Sequence, residues 1–509
     1  MENLQQLAQA VIQWTALTLL FLFGIGILIL VALYLIDKTQ TKQTIRRNYP
    51  VVGRFRYAFE HLGEFFRQYF FAMDREELPF NRAERSWVYR AAKQVDTTIA
   101  FGSTRSLTLE GEPIFLNSAF PTLEDDVVEP RPVTIGEGVC IKPYSTKSLL
   151  NISGMSFGAI SKPAVLALSH GARQAGNWLN TGEGGLSPYH LRGGCDLVYQ
   201  IGTAKYGVRN SEGKLCDAKL KEIASHEQVR MFEIKMSQGA KPGKGGILPG
   251  AKVTEEIAEI RGIAVGQDSI SPNRHEEVRS VDDLLDMINR IRSVTGKPVG
   301  FKMVVGQLEF FDDLFKAIHA RGIDQAPDFI TIDSADGGTG AAPQPLMDYM
   351  GMTLRESLPL VVDLLHEYGL RERIKVIASG KLITPGKVAW AISAGADFCT
   401  SARGFMFALG CIQALQCNKN TCPTGITTHK KELQRGLVLE DKTARVAAYA
   451  KKINYGVGLI AHSCGVSQPR ELQRCHVRVV ETGGFSRSMA EQFPVPETKT
   501  EYIKLRQAD

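Results

Sequence analysis

This 509-residue chain has no cysteine before Cys140, no Lys/Arg run dense enough for a nucleic-acid stripe, and no G-x-G-x-x-G turn between an early strand and a helix. Each absence removes a class of function. With no basic stripe and a formal net charge of only +6, no nucleic-acid partner is expected. Without the glycine fingerprint, the chain is not expected to carry a dinucleotide site of its own. The nine cysteines (140, 195, 216, 399, 411, 417, 422, 464 and 475) are odd in number and widely scattered. Small secreted domains use dense, even-numbered frameworks instead, so a reducing compartment is expected.

Charge is also missing from Thr15 to Ile36, where TALTLLFLFGIGILILVALYLI runs for 22 positions. As a helix it would reach about 33 Å, enough for a hydrocarbon core of about 30 Å. A cleaved secretory signal would show a positive start, a shorter apolar core and a small-residue cleavage site, none of which is evident. Lys38, Lys42, Arg46, Arg47, Arg54 and Arg56 follow the run and only Glu2 precedes it. The expectation is therefore a single-pass membrane protein with its C-terminal bulk in the cytoplasm. Residues 38 to about 100 are rich in Arg and aromatics and read as juxtamembrane helices. Phe65, Phe66, Tyr69, Phe70 and Phe71 are placed either on the membrane surface or against the main domain. From 101 to about 148 an irregular, β-leaning stretch is expected to brace that domain.

From about 149 short apolar runs alternate with helical patterns, as parallel β/α units do. Eight strands are expected: 149–154, 178–182, 197–202, 231–237, 298–304, 328–334, 374–380 and 397–404. Eight units in about 250 residues predict an α/β fold, a (β/α)8 TIM barrel, with chemistry on the loops at the C-terminal strand ends. An open doubly wound sheet is the alternative. The expected division is a transmembrane anchor at 1–37, an α+β extension at 38–148, the barrel with its cysteine loop at 149–450, and a C-terminal extension at 451–509.

The strand ends carry the candidate chemistry. Ser379-Gly380-Lys381 follows strand seven and Ala402-Arg403-Gly404 follows strand eight, where barrels commonly hold a phosphate. Lys302 on strand five would aim a cation at the mouth, where it could stabilise a reduced, anionic flavin ring. A flavin mononucleotide, FMN, fits both features. Lys235, Gln238 and Lys241 on and after strand four, with Arg261, form a carboxylate-binding set, and Glu183 adds a carboxylate at the same mouth. Cys411, Cys417 and Cys422 show C-x5-C-x4-C spacing closed by Pro423. One thiolate per iron on a short loop fits a three-iron cluster; structural zinc, with its usual four ligands and shorter pairs, and three ordinary thiols are the alternatives.

The segments ISGMSFGAISKPAVLAL, LNTGEGG, EIKMSQGAKPGKGGILPG, SADGGTGAAP and GCIQALQCNKNTCPTGITT resemble, in the same order, the synthase domain of FMN-dependent, 3Fe-4S glutamate synthases. The resemblance covers about residues 145 to 450 and points to the short, archaeal-type members. It implies an FMN-binding barrel that reduces 2-iminoglutarate, formed from 2-oxoglutarate and ammonia, to L-glutamate. It also implies that Cys411, Cys417 and Cys422 ligate the cluster, and that Glu183, Lys235, Gln238, Lys241 and Arg261 surround 2-oxoglutarate. Gly154, Met155, Ser156, Lys302 and the two phosphate loops would contact FMN. Glu183 or a lysine would deliver the proton to nitrogen.

Three departures qualify the resemblance. A membrane run stands where those enzymes place a cysteine-nucleophile glutaminase, so ammonia is expected to arrive free or from a separate glutaminase subunit. The long C-terminal β-helix of the large enzymes is not expected, and ISPNRHEEV (270–278) stands where many relatives have a PPPHHD-like segment. Electrons are expected from ferredoxin or a membrane carrier. Two rival readings are an FMN oxidoreductase acting on another amino or imino acid, and a non-catalytic anchored electron-transfer subunit. Cys399, Cys464 and Cys475 are candidates for a fourth ligand.

Overall fold

The structure is a computed structural model that describes residues 2–500 and 502, the side chain of Phe65 excepted. The chain divides into two compact units, Met1–Ala83 and Glu84–Asp509. In the first, the uncharged run lies within one helix, Glu2–Thr39. That helix is long and apolar enough to cross a membrane, and none of its most apolar stretch is buried. Two shorter helices, Thr44–Asn48 and Gly53–Phe66, follow, and the latter continues as one wider turn over Arg67–Phe71.

The second unit is built on a closed barrel of eight strands. They are β1 Leu150–Ile152, β2 Leu179–Asn180, β3 Leu197–Ile201, β4 Val229–Lys235, β5 Val299–Val304, β6 Phe329–Asp333, β7 Lys375–Ser379 and β8 Phe398–Ser401. All neighbours pair in parallel and in chain order, and β8 closes the ring on β1. Each expected strand is present, seven of them shortened by one to four residues and the fourth shifted two residues towards the N-terminus. The strands are buried over nearly their whole length, and their apolar runs supply both the barrel core and the layer beneath the outer helices.

Local signals set the helices. Ser280 and Asp283 form a capping box that starts Val281–Thr295, and Gly296, at φ +68°, ends it in the left-handed region that suits glycine. The helix after β1, Lys162–Ala175, packs on the long helix Leu439–Ser463. A side chain on Gly171 would come within 2.5 Å of Val446, so glycine there sets the helix separation. The long helix runs straight through position 450, where the sequence places the end of the barrel domain.

The β-leaning stretch before the barrel forms a hairpin, Val133–Ile135 with Tyr144–Thr146. Its Ile135 and Tyr144 join Trp178, Val198, Met231, Phe329, Ile377 and Phe398 in one buried apolar cluster. This cluster uses residues near the N-terminal strand ends, so the hairpin seals that end of the barrel. Pro113–Phe115 pairs with Val477–Val480, tying the segment before the barrel to the one after it.

Candidate active site at the barrel mouth

The opposite end is polar and built by strand alternation. Residues two apart on a strand share a face, so Glu233 and Lys235 both face the barrel interior, as do Thr331 and Asp333. Glu233, almost fully buried, accepts hydrogen bonds from Asn180 Nδ2 (2.8 Å), Gln200 Nε2 (2.7 Å) and Thr331 Oγ1 (2.7 Å). Above it Lys302 Nζ lies 3.2 Å from Asp333 Oδ2. Burial opposes the Lys302 charge, but Asp333 and Glu233 outweigh it and raise the lysine above its usual value. Asp333 also accepts from Ser379 Oγ (2.8 Å) and the Gly239 amide (2.9 Å). A cavity of about 10 Å³ lies among these groups, lined also by Ser153 and Thr400, and the buried Thr400 Oγ1 lacks a hydrogen-bond partner among the described residues.

The five residues expected to hold the substrate come together. Lys235 Nζ donates to Glu183 Oε1 at 2.8 Å and also bonds Gln238 Oε1. Glu183 is packed among glycines: a side chain on Gly202 or Gly246 would reach its carboxylate at 2.5 or 2.3 Å. Burial works against the Glu183 charge, yet Lys235, Lys241 and Arg261 hold its carboxyl below the ordinary glutamate range. These cations favour the ionised Glu183 carboxylate. Lys241 behaves in the opposite sense: burial and the neighbouring Lys235 bring it down to about 8. A lysine poised near neutrality is the better acid. Arg261 turns its two terminal nitrogens to Ser156 Oγ and Ser269 Oγ, each 3.3 Å away, leaving Nε without a partner among the described residues.

Two groups at this mouth escape sequence reasoning. His275, in the departing segment 270–278, is fully buried, kept neutral by burial at about 4, and donates from Nε2 to Lys235 O at 3.1 Å. Asp336, in the loop after β6, sits between the expected phosphate-binding cations. Lys381 Nζ is 2.9 Å from its carboxylate, Ser334 bonds the same carboxylate, and Arg403 donates to its backbone oxygen at 3.1 Å. Lys381 thus holds the Asp336 carboxylate and Arg403 its backbone carbonyl, so one acidic residue lies between the two cations. Gly380, at φ +143°, admits no side chain, since a Cβ there would meet Ser334 at 2.3 Å. The loops after β1 and β2 interlock similarly, a Cβ on Gly182 meeting the Ser156 amide at 2.6 Å.

The cysteine loop is inserted between the helix Arg403–Leu409 and Leu439–Ser463. Gln413, Leu415 and Asn420 all have positive φ, an uncommon density for non-glycine residues and a mark of a tightly wound loop. The Gln413 amide donates to Cys411 Sγ at 3.4 Å, and Tyr89 of the helix Arg82–Ala92 donates to Cys411 O at 2.6 Å. Burial pushes the Cys411 thiol up to about 12 and also raises Cys417. For Cys422 burial is outweighed by hydrogen bonds, including one with Thr424 Oγ1 at 3.3 Å, and its thiol is lowered. Among the described residues no three His, Cys, Asp or Glu side chains converge tightly enough to hold a single metal ion. The thiols acting electrostatically on Cys411 are Cys417 and Cys422; Cys464 has Cys475 as its thiol neighbour, and Cys399 lies in β8. Lys252, buried beside this loop, donates to Ala159 O at 2.7 Å and Cys417 O at 3.4 Å. His429 Nε2 donates to Gly158 O at 2.8 Å. The cysteine loop is thereby bonded directly to the loop after β1.

Comparison with known proteins bears on the same residues. The conserved region in glutamate synthase matches residues 112–467. A glutamate synthase large subunit-like protein of Bacillus subtilis, YerD, is 39% identical over 494 residues, covering 90% of this chain and 93% of its own length. An archaeal-type glutamate synthase [NADPH] of Thermotoga maritima is 35% identical over 319 residues, 61% of this chain and 59% of that one. An archaeal glutamate synthase [NADPH] of Methanocaldococcus jannaschii is 33% identical over 330 residues, 63% and 60% of the two chains. The last two are thus matched over less than two thirds of their length, and the first over nearly all of it. With a matched region that contains the whole barrel, its mouth and the cysteine loop, this chain belongs to the glutamate synthase family.

Proposed function

We propose that this chain is a membrane-anchored, FMN-dependent oxidoreductase of the CH–NH2 class that reduces 2-iminoglutarate, formed from 2-oxoglutarate and ammonia, to L-glutamate. The observation that carries the reading is the convergence of Lys235, Lys241 and Arg261 around Glu183 at one barrel mouth, with Gln238 bonded to Lys235. Three cations against one carboxylate leave an excess of positive charge, which suits a dicarboxylate substrate. FMN, when bound, would supply the hydride taken up by the imine carbon, and a 3Fe-4S cluster would supply its electrons one at a time.

The chain's own residues do the remainder. Lys235 is fixed by Glu183, Gln238 and the His275 contact to its carbonyl, so its ammonium is placed before substrate arrives. Lys241 delivers the proton to the imine nitrogen, so that one hydride and one proton convert C=N to CH–NH. Lys302 would present a cation to the flavin of a bound cofactor, and Lys381 and Arg403 would offer cations to its phosphate. Gly154, Met155, Ser156, Ser379, Gly380, Ala402 and Gly404 form the surrounding backbone cradle. Lys252 and His429 keep the cysteine loop against the cofactor side of the mouth. Cys411, Cys417 and Cys422 would hold the cluster, three thiolates on a wound loop being the donor chemistry such a cluster takes.

The helix Glu2–Thr39 supports a membrane anchor, and the basic residues after it support a cytoplasmic barrel. Ammonia would come free or from a separate glutaminase, and electrons from ferredoxin or a membrane carrier. A second reading keeps the cofactors and changes the substrate to another amino or imino acid; it is favoured by Arg261, whose terminal nitrogens are already engaged by Ser156 and Ser269. Anaerobic purification in detergent, with flavin and iron determined per chain, tests the cofactor assignment. Stoichiometric flavin and about three irons are expected, and protein free of flavin would overturn it.

A further inference from the structure

The helix Gly53–Phe66 and its continuation present an apolar face that is exposed. Phe55, Phe59, Leu62, Phe66 and Tyr69 recur at 4-3-4-3 spacing, which places them on one helical face, and all are exposed, Phe59 by 66%. Phe55 stacks near Phe59, and Phe66 packs at a tilt against Phe70, so the rings pair along the helix. Glu60 and Glu64 lie on the other face, and Arg54, Arg56 and Arg67 lie along the same helix. Soluble proteins rarely leave such a stripe uncovered.

The connection to the preceding helix indicates what covers it. The apolar run ends at Ile36, and Asp37 directly after it is completely buried. Its carboxylate accepts from Arg46 Nε (2.9 Å), Arg54 Nε (2.7 Å) and the Val51 amide (3.0 Å). Val51 is held at φ +65°, a costly conformation for a β-branched residue, which a well-determined turn can sustain. This knot fastens the start of Gly53–Phe66 to the last turn of Glu2–Thr39. The aromatic helix therefore begins where the apolar run leaves the hydrocarbon, within a segment whose cations suit anionic headgroups.

We propose that Gly53–Phe71 is an interfacial helix, lying in the headgroup layer of the bilayer that Glu2–Thr39 crosses, with the Phe55–Tyr69 stripe towards the acyl chains. The inference rests on the proposed membrane span. It is tested in the full-length protein, in native membranes, by the photo-cross-linker p-benzoylphenylalanine placed singly at Phe59, Leu62 and Phe66, at the polar-face positions Glu60 and Glu64, and at Leu28 within the span. Mass spectrometry should find lipid adducts at Phe59, Leu62, Phe66 and Leu28, and several-fold fewer at Glu60 and Glu64. Adducts at Leu28 but protein cross-links at the stripe, to a second copy or to the barrel, would overturn the interfacial helix and leave the span intact. Equal lipid labelling of both faces would also overturn it. No lipid adduct at Leu28 would overturn the span itself, and the interfacial helix with it.

Discussion

The two ends of the barrel use burial for opposite purposes. At the N-terminal end Ile135, Tyr144, Trp178 and Phe398 close on one another with their neighbours, and the cluster of eight residues contains no ionisable group except the Tyr144 hydroxyl. At the other end Glu233, Lys235, Lys241, Lys302 and Asp333 are buried almost as deeply. Burying apolar surface stabilises a fold, whereas burying charge costs stability unless every charge is paired. The mouth thus gives up stability to hold charges at fixed positions, and the sealed end makes that loss tolerable. Substitutions at the mouth should remove function and spare the fold, and substitutions at the seal should do the reverse.

The largest effect is expected in the cysteine loop. Cys417→Ser should abolish the paramagnetic signal of the oxidised cluster and turnover with an external electron donor, and a retained cluster signal would remove Cys417 from the ligand set. Next comes Lys241→Met, which should lower kcat by about 100-fold or more, the usual range for losing a positioned acid. Donation requires protonated Lys241, so wild-type kcat should fall as pH rises through about 8, a limb absent from the variant. The sign for stability is opposite. Burial disfavours the charged lysine in the folded state, so protonated Lys241 opposes folding at neutral pH, and the penalty is relieved progressively as pH rises from about 8 to the ordinary lysine value of 10.5. The methionine variant should therefore be at least as stable as wild type at pH 7 by chemical denaturation. At the sealed end Trp178→Ala should cost about 3–5 kcal/mol of stability, seen as an earlier denaturation midpoint, while the folded fraction still binds flavin. Comparable losses of stability from Lys241→Met and Trp178→Ala would break the contrast. The smallest effect is at the phosphate end: Asp336→Asn breaks the Lys381 ion pair and removes the negative charge near Arg403, and should tighten FMN binding by about tenfold, or about 1.4 kcal/mol, in a fluorescence titration of flavin-free protein.

Features repeated along the chain were legible in the sequence. All eight barrel strands stand out because an apolar run bounded by glycine and polar residues is a local signal, and the order of the units then predicts closure. Lys235, Lys241 and Lys302 were legible because charges on or directly after buried strands need a reason to be there. Through-space partners were not. The hydrogen bonds from Asn180, Gln200 and Thr331 to Glu233 join residues 33 to 98 positions apart, and no local pattern encodes them. Asp336 between Lys381 and Arg403 is of the same kind, as is the Tyr89 bond to the cysteine loop from 322 positions away. The opposite shifts of Glu183 and Lys241 are of the same kind, since they depend on how Lys235, Lys241 and Arg261 are placed around one carboxylate.

The central claim, that this mouth reduces the imine of 2-oxoglutarate, is tested most directly by following flavin absorbance anaerobically after full reduction of the purified protein. Addition of 2-oxoglutarate with ammonia should reoxidise the flavin and yield one L-glutamate per flavin, neither compound alone sufficing. A flavin that stays reduced in the presence of both, or reoxidises without forming glutamate, would contradict the account.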